Sequence, residues 1–374
     1  VQANQIQSVL THHETSTMIT GGIINNRSFN FDLRSPITVG LEKLSSLKDD
    51  FKTALGVEGI RLNRQNGQLQ LQVIRPFTPA VPLVDLLSRL HNNPPASAVL
   101  GYAEDGSVIR HDFTADATPN ILISGAKDAG KTNLLRTIAV SLALTNRQAD
   151  VQIVAINPTS ADSQNRDSEA AFWRPLNYVP HMLTDVVSRQ TEISELLLFM
   201  VREMNYRGEH LFSSPRIVVL IDQAATVMER GGRTVSEAIL RIAERGAGAG
   251  IHLVLGTSRP QSGQFGPHLL TNLQSHYAGF RNQNSERQDD DITARAATLL
   301  GQGDFLSCGF SPQLRFQAAF IDDYDLHMGL SKLYRKRPIL LAQPLSTRKQ
   351  LNPSIKPSTL EQHFAFADGI VAVS

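Results

Sequence analysis

One glycine-rich segment of the chain has the residue types and the spacing that bind phosphate groups. Its glycines let the backbone curl so that successive N–H groups point inward at phosphate oxygens. The lysine adds a full positive charge at the β- and γ-phosphates, and the threonine hydroxyl is suited to ligate Mg²⁺. The segment meets the pattern G-x-x-x-x-G-K-[ST] in full and runs Gly125, Ala126, Lys127, Asp128, Ala129, Gly130, Lys131, Thr132. It predicts a site for ATP with Mg²⁺, the alternative being a glycine-rich turn without a ligand.

The sequence on both sides of this segment agrees with phosphate binding. Ile121 to Ile123 form a short apolar strand before it, and a helix is predicted from Asn133 to Leu144 after it. This helix would present its positive N-terminus to the same anion. We therefore expect the nucleotide contacts to extend from Gly125 through Asn133.

A second acidic group is expected at the end of a neighbouring strand. Asp222 follows the apolar run Ile217 to Ile221, which is the position of a Walker B carboxylate that holds the Mg²⁺ shell. Thr132 and Asp222 are thus the predicted metal ligands, and Lys131 and Asp222 are predicted catalytic residues. The alternative is an aspartate that merely ends a strand.

Gln223 occupies the next position, where an ATPase with this motif would be expected to have glutamate as the base that orients the attacking water. An amide can hydrogen-bond water, but it cannot accept a proton as a carboxylate does. Two interpretations follow: a Glu→Gln change that traps bound ATP, or a natural ATPase with slow or regulatory turnover. The intact motif around Gln223 favours the trap, and we expect impaired hydrolysis.

The order of apolar runs in the rest of the chain predicts an α/β fold. Continuous apolar strands, such as Val151 to Ile156 and Ile217 to Ile221, are typical of a parallel sheet that is buried on both faces. Helical segments alternate with them, which indicates an α/β domain with a mostly parallel sheet. We place this ATPase motor domain at residues 119–335. Residues 336–374 are interrupted by prolines and are expected to form an irregular C-terminal tail.

The first part of the chain has a different pattern. Residues 1–17 are polar and weakly patterned, and they are predicted to form a tail or linker. Residues 18–118 are predicted to form a small α+β domain. Its clearest element is a β-hairpin at Asn66-Gly67, after which apolar residues alternate with glutamines from Gln68 to Val73. That alternation predicts a strand with one apolar, buried face and one polar face exposed to solvent.

Composition excludes several classes of protein. The chain has 36 Lys and Arg against 35 Asp and Glu, so any DNA-binding surface has to be a local basic patch. Cys308 is the only cysteine, which excludes a disulfide framework within the chain and a zinc site built from cysteines. No apolar run is long enough to span a bilayer. We expect a cytoplasmic location, with a membrane anchor outside this sequence left open.

Further motifs resemble the motor region of the FtsK/SpoIIIE family, within the FtsK–HerA group of hexameric DNA translocases. They occur in order over about residues 119–325, and together they are far more specific than the phosphate-binding segment alone. A weaker resemblance to the small domain that precedes the core in that family covers about residues 29–118. The motifs are Asn120 to Gly125 before the phosphate-binding segment, Val179 to Val187, Arg202 to Arg207, Gly250 to Pro260, and Leu299 to Leu306.

The resemblance implies a RecA-like P-loop NTPase core preceded by a small α+β domain. It also implies a homo-oligomer, a hexameric ring that holds ATP at subunit interfaces and double-stranded DNA in its central pore. Thr257 and Ser258 match the end of the family's sensor strand, where the usual pair is Thr-Gln, so that Ser258 would face the γ-phosphate. Arg245 is the first candidate for an arginine that acts on a neighbouring subunit's nucleotide. Ala247 stands where relatives often have arginine.

The resemblance further implies that two loops facing the pore bind DNA. In the first loop, glycines let the backbone approach the duplex, and two arginines would contact phosphates without reading bases. The second loop follows Pro260 and has no Lys or Arg, so its contacts would come from backbone N–H groups and polar side chains. The predicted DNA-binding residues are Arg230, Gly231, Gly232 and Arg233 in the first loop, and Gln261 and Ser262 in the second. The alternative is a pair of flexible surface loops.

Two features depart from the family. Nothing after Leu333 has the length or the pattern of the winged-helix domain that family members often carry, and Asn157-Pro158-Thr159 replaces the usual Asp-Pro-Lys. The leading hypothesis is an ATP-driven translocase of double-stranded DNA. The alternatives are a protein-translocating ATPase like the EccC motors of type VII secretion, a conjugative coupling ATPase, and a nucleotide-gated assembly scaffold.

Overall fold

The computed structural model describes residues 1–336 with several gaps. The chain divides into two compact units, Val1–Ala80 and a larger unit that begins at Val81. Among the described helices, none combines the length and the apolar character needed to cross a membrane. The residues outside the description are 25–27, 37–40, 58, 66–67, 76–79, 91–92, 104–105, 116–118, 159–165, 259, 261–262, 264, 282–295, 297–298, 309–313 and 337–374.

The first unit is an α+β domain built on an antiparallel sheet. Its elements are α1 (Gln2–His12), β1 (Met18–Ile24), β2 (Ser28–Arg34), α2 (Leu41–Ser46), α3 (Lys48–Leu55), β3 (Ile60–Gln65) and β4 (Gln68–Ile74). The strand order is β1–β2–β4–β3, and β3 pairs with β4 as the predicted hairpin. One expectation differs. Gln72, on the face predicted to be exposed to solvent, is buried and donates a hydrogen bond to the Ser28 hydroxyl over 3.0 Å.

The segment predicted to be a tail, residues 1–17, contains the helix α1. Ile6 and Leu10 lie four positions apart, so they share one face of this helix, and both are fully buried. They belong to the same apolar core as Leu44 and Phe51. The prediction was wrong because two apolar residues in a polar stretch are a weak signal until a partner surface is known.

The second unit contains a large sheet with helices on both faces. Its strands are β5 (Val81–Pro82), β6 (Ser97–Ala103), β7 (Val108–Asp112), β8 (Ile121–Ser124), β9 (Val151–Ile156), β10 (Arg216–Ile221), β11 (Ile251–Thr257), β12 (Ser275–Gly279), β13 (Asp304–Cys308) and β14 (Leu314–Phe320). Its helices are α4 (Leu83–Arg89), α5 (Lys131–Thr145), α6 (Arg166–Trp173), α7 (Gln190–Glu209), α8 (Ala224–Arg245), α9 (Pro267–Thr271) and α10 (Asp323–Lys336), with 3₁₀ turns at Arg174–Tyr178 and Ala247–Ala249.

The sheet confirms the predicted α/β class. Its strand order is β7–β6–β14–β13–β12–β8–β11–β10–β9, and β5 pairs with β14. The strands from β12 to β9 in that order are parallel, and every residue of β8, β9 and β11 is buried. Alternate residues pack against α5 on one face and against α7 and α8 on the other. Burial on both faces is why these strands have continuous apolar sequences.

The predicted domain boundary at residue 118 falls inside the second unit. β6 and β7 precede that position, yet β6 pairs antiparallel with β14, and β7 pairs with β6. Both strands therefore extend the large sheet. Sequence pattern could not show this pairing, because β14 lies near the opposite end of the described chain.

A buried ion pair ties the end of α7 to the start of β10. Arg207 is fully buried, and its Nε donates to Glu203, one turn earlier on α7, over 2.7 Å. Its Nη1 donates to the carbonyls of Pro215 (2.6 Å) and Ala249 (3.1 Å). A buried charge is tolerated only when it is paired and hydrogen-bonded, so removing one partner leaves the other uncompensated.

We expect Glu203→Gln to lower the free energy of unfolding by about 3 kcal/mol, because the charge of Arg207 would stay buried without its carboxylate. The matched control is Glu192→Gln, which removes the carboxylate in the first turn of the same helix that pairs with the exposed Arg189. That change should cost less than about 1 kcal/mol. Chemical denaturation measures the free energy of unfolding of both variants. Equal losses would contradict the stabilising role of the buried Arg207–Glu203 ion pair.

Candidate nucleotide-binding site

The phosphate-binding segment lies at the edge of the sheet where the parallel strands end. It connects β8 to α5, and β8 lies between β11 and β12. The last residue of β8 pairs with Thr257 of β11, and the last residue of β10 pairs with Leu255. This register brings Asp222 and Ser258, which follow β10 and β11, to the same edge as the segment.

The segment has a backbone that few residues tolerate. Gly130 begins α5 with a φ of 96°, and a Cβ atom there would lie 2.5 Å from the backbone nitrogen of Gly303. Asp128 also has a left-handed φ, of 63°. Aspartate takes that conformation more readily than most residues do. A glycine is therefore required at position 130 for space as well as for conformation.

Lys131 reaches across the concave side of the segment. Its ammonium donates a hydrogen bond to the Ala126 carbonyl over 2.8 Å. Burial lowers the pKa of Lys131, and the negative charges of Asp222 and Asp128 oppose that shift. Phosphate oxygens in the concavity would oppose it further, so this position suits a lysine that binds an anion.

Thr132 and Asp222 are in direct contact. The Thr132 hydroxyl donates to Oδ2 of Asp222 over 2.7 Å, and Oδ1 accepts from the N–H of Gln223 over 2.9 Å. Mg²⁺ in nucleotide sites takes a hydroxyl and one or two carboxylates, while phosphates and waters complete its shell. The two residues fit that ion. Within the described part of the chain, no cluster of three or more His, Cys, Asp or Glu could hold a metal by itself.

Gly256 makes room for the Asp222 carboxylate. A Cβ atom at this position on β11 would lie 3.2 Å from Oδ1 of Asp222 and 2.9 Å from the Leu135 side chain. In the sequence, this glycine belongs to the Gly250 to Pro260 motif, which by itself predicts no role for it. Its role depends on the register between β10 and β11, which no local pattern contains.

Gln223 begins α8 with a left-handed backbone, at φ 49° and ψ 43°. Its carbonyl accepts hydrogen bonds from the N–H groups of Thr226 and Val227, the first bonds of the helix. A residue other than glycine in this region carries strain, and such strain is common at functional sites. The Gln223 amide thus lies between the end of β10 and the first turn of α8, at the position where a glutamate base is expected.

Arg245 lies away from the site of its own chain. α8 begins next to Asp222 and runs back along the sheet to Arg245, after which the Gly246 carbonyl accepts from the N–H of Ile251, the first residue of β11 (2.8 Å). Arg245 is thus at the opposite edge of the sheet, where the parallel strands begin. It therefore lies away from the nucleotide site of its own chain, and its action on a neighbouring subunit's nucleotide stays a prediction.

The first predicted DNA-binding loop lies where two helical segments of α8 meet at a kink. Arg230 and Arg233 both lie within α8, and Gly232 alone departs from helical geometry, with φ 62° and ψ −154°, which kinks the helix. Both arginines are exposed, and Nε of Arg233 donates to Glu237 over 2.6 Å. The predicted loop is thus reduced to a kink, because helical geometry continues on both sides of Gly232. DNA binding by this segment stays a prediction. Outside the described residues lie Gln261 and Ser262.

The Asn133 side chain joins α5 to the end of β14. Its Nδ2 donates to the Ala319 carbonyl over 3.0 Å, and the Thr137 hydroxyl donates to the same carbonyl over 2.7 Å. This contact anchors the first turn of α5. Nucleotide binding by Asn133 stays a prediction.

Groups that hold the phosphate-binding segment from outside were not predicted from the sequence. The N–H groups of Gln302 and Gly303 donate to the carbonyls of the two residues before Gly130, over 2.9 and 2.8 Å. On the side of β12, the Phe280 carbonyl accepts from the N–H of Ala126 over 2.7 Å. The signal was the Leu-Leu-Gly-Gln-Gly-Asp-Phe-Leu motif, which sequence reasoning used only as a family resemblance.

The fold and the site together define a P-loop ATPase with a RecA-like core. A glycine-rich loop connects a buried strand to a helix, and its threonine contacts an acidic residue at the end of a parallel strand. The predicted fold class is confirmed, including a small α+β domain that precedes the core in the amino-acid sequence.

Within that class, the resemblance to the FtsK/SpoIIIE family is confirmed, since residues 86–214 match the model of that family. The chain is 25% identical over 367 residues to the DNA translocase FtsK of Mycobacterium leprae (strain TN), covering 87% of this chain and 42% of the relative. It is 26% identical over 338 residues to the DNA translocase SftA of Bacillus subtilis (strain 168), covering 82% and 34%. The chain thus spans less than half the length of these relatives.

Solved structures share the fold. The monomer form of the pCW3 conjugation coupling protein TcpA with ATPγS matches with a TM-score of 0.59 and 16% identity, covering 90% of this chain and 99% of that one. The cytoplasmic domain of the Thermomonospora curvata type VII secretion ATPase EccC matches with a TM-score of 0.55 and 19% identity, covering 70% and 35%. At these identities the likeness concerns the fold alone.

We expect Gly256→Ala to weaken Mg²⁺-dependent ATP binding by about tenfold, because the new methyl group would press on the Asp222 carboxylate and on Leu135. Titration with a fluorescent ATP analogue, with and without Mg²⁺, measures the dissociation constant. The control is Gly208→Ala on α7, where an added Cβ meets nothing within 4 Å. An unchanged dissociation constant for Gly256→Ala would rule out this role.

Proposed function

We propose that this chain couples ATP hydrolysis to movement along double-stranded DNA, acting as a hexameric ring with the duplex in its central pore. The observation that carries the ATPase activity is the contact of Thr132 with Asp222 beside the phosphate-binding segment. The DNA substrate is supported by the names of the relatives and by the exposed arginines of α8. The formal net charge of +1 requires that such a surface be local.

Each residue of the site has a defined task in this proposal. The N–H groups of the phosphate-binding segment and the N-terminus of α5 bind phosphate oxygens. Lys131 leaves the Ala126 carbonyl and binds the β- and γ-phosphates. Thr132 and Asp222 hold Mg²⁺, which when bound neutralises phosphate charge. Ser258, at the end of β11, faces the γ-phosphate.

Gln223 limits the rate in this proposal. Its amide can donate to or accept from the attacking water, but it cannot take the proton that the water loses. Positioned general bases contribute roughly 10²- to 10⁴-fold to rate, so an amide at this position would leave ATP bound and turned over slowly.

A ring is supported by the place of Arg245. This arginine lies at the edge of the sheet opposite to its own phosphate-binding segment. If Arg245 acts on a nucleotide, that nucleotide has to be held by a neighbouring copy of the chain. Closed rings arise when the same two surfaces of each copy meet head to tail. We propose that the ring is cytoplasmic.

We expect Gln223→Glu to raise the steady-state ATPase rate at least about a hundredfold, because the carboxylate can accept the proton of the attacking water. Duplex DNA should stimulate the rate further. Phosphate release measures both effects, and Gln223→Glu combined with Lys131→Ala is the inactive control. A rate that rises but ignores DNA would contradict the DNA substrate, and stimulation by a peptide instead would indicate a protein-translocating ATPase.

We expect Arg230→Ala with Arg233→Ala to weaken binding to duplex DNA of any sequence and to lower its salt dependence by about one unit of slope per lost phosphate contact. Fluorescence anisotropy over a series of salt concentrations measures both. The matched control is Arg241→Ala, an exposed arginine later on the same helix. Equal losses in the control would mean that general charge, not this surface, binds DNA.

A further inference from the structure

The segment Gly301–Gly303, here named the bracing turn, has an unusual backbone. Its three residues have φ values of 76°, 50° and 92°, so all of them lie in the left-handed region. That region is costly for Gln302, which has a side chain. Such a conformation persists only where the surrounding structure enforces it, and it is common at sites with a mechanical task.

Asp304 and Arg315 enforce this conformation. Nε and Nη2 of Arg315, on β14, donate to the two carboxylate oxygens of Asp304 over 2.9 and 2.7 Å. Oδ2 of Asp304 also accepts from the N–H of Leu300 over 2.7 Å, which secures the start of the bracing turn. The Asp304 side chain is 4% exposed, so water competes little for this two-pronged bond.

The bracing turn is bonded on both sides. The Gly303 carbonyl accepts from the N–H of Ala318 on β14 over 2.7 Å, and the N–H of Gly303 donates to Ala129 over 2.8 Å. The backbones of Gly130 and Gly303 are closely packed, since a Cβ atom on Gly130 would lie 2.5 Å from the Gly303 nitrogen. A shift of the bracing turn must therefore move the phosphate-binding segment.

These bonds decide where two peptide groups point. In a trans peptide the carbonyl and the N–H point in opposite directions. The carbonyls of Asp128 and Ala129 point at the bracing turn, so the N–H groups of Ala129 and Gly130 are turned toward the concave side. The N–H of Ala129 reaches the Ala126 carbonyl there over 3.3 Å, the same acceptor that Lys131 uses.

We propose that Asp304 and Arg315 are positioning residues for nucleotide binding. Their ion pair holds the bracing turn, the bracing turn holds two carbonyls, and those peptide groups present their N–H groups to phosphate oxygens. Neither side chain touches the nucleotide. The inference rests on the proposed ATP binding and extends it to a pair of residues to which the family motif by itself assigns no task.

The test compares ATP dissociation constants of the full chain, measured with a fluorescent ATP analogue and by ATP-induced thermal stabilisation. Asp304→Asn and Arg315→Met should each weaken ATP binding by roughly tenfold, which corresponds to about one N–H···phosphate hydrogen bond lost through misdirection. The double variant should be no weaker than either single one, because the two residues act as one unit. Arg315→Lys keeps the positive charge but cannot donate two parallel hydrogen bonds to Asp304. Its ATP dissociation constant should lie between those of the unchanged chain and of Arg315→Met.

A rescue separates positioning from a loss of fold. Gln302→Gly added to Asp304→Asn should restore part of the affinity, because glycine takes the left-handed conformation without enforcement. Glu203→Gln is the control for a buried ion pair distant from the site, and it should leave the dissociation constant unchanged. If Asp304→Asn does not fold, Arg315→Lys and Gln302→Gly carry the same comparison.

Two failures are distinguishable. If the unchanged chain does not bind ATP, the proposed function is overturned together with this inference. If the unchanged chain binds ATP and the variants bind it equally well, or if Glu203→Gln weakens binding as much as they do, this inference alone is overturned.

Discussion

The hydrogen bond between the Thr132 hydroxyl and the Asp222 carboxylate is the contact on which the site depends. It joins two residues that are ninety positions apart in the chain, at 2.7 Å. The contact exists because β8, β11 and β10 are parallel neighbours in a register that ends them at one edge. Gly256, on the strand between them, leaves the carboxylate room. The buried sheet therefore serves as the frame that sets one short distance.

The same edge concentrates opposite charges. Burial lowers the pKa of Lys131, while Asp222 and Asp128 act in the other direction. A lysine in this balance gains from an additional anion, and a carboxylate gains from a cation. A complex of ATP with Mg²⁺ supplies both at once, which is a physical reason why the two ligands would bind together.

Support for the phosphate-binding segment comes from both sides of β8. Phe280 after β12 and the bracing turn before β13 form hydrogen bonds with the outer surface of the segment, so these contacts do not occupy its inner surface. His276 on β12 adds to this support through a 2.7 Å contact with the Ser124 hydroxyl. Burial, helped by the charge of Arg281, lowers the pKa of His276 to about 4, so the ring is neutral near pH 7.

Features encoded by neighbouring residues could be predicted from the sequence, whereas features that depend on pairing with remote segments could not. The placement of residues Gly125 to Thr132 beside Asp222 was predictable, because the loop is one motif and Asp222 ends one apolar strand. The helix α1, the place of β6 and β7 in the large sheet, and the kinked helix at Gly232 were not. In each case the deciding partner is remote in the chain or the local propensities compete.

The sequence by itself determined which residue types could do chemistry in this protein: a glycine-rich loop suited to phosphate, an acid suited to Mg²⁺, and an amide where a base is expected. Residue type and short spacing suffice for that, because backbone curl, charge and hydroxyl placement are local properties. Only the tertiary structure decided that Gly256 borders the acid, that Arg245 lies away from its own site, and that Asp304 and Arg315 brace the loop. These depend on strand register and on carbonyl direction, which arise when distant segments pack together.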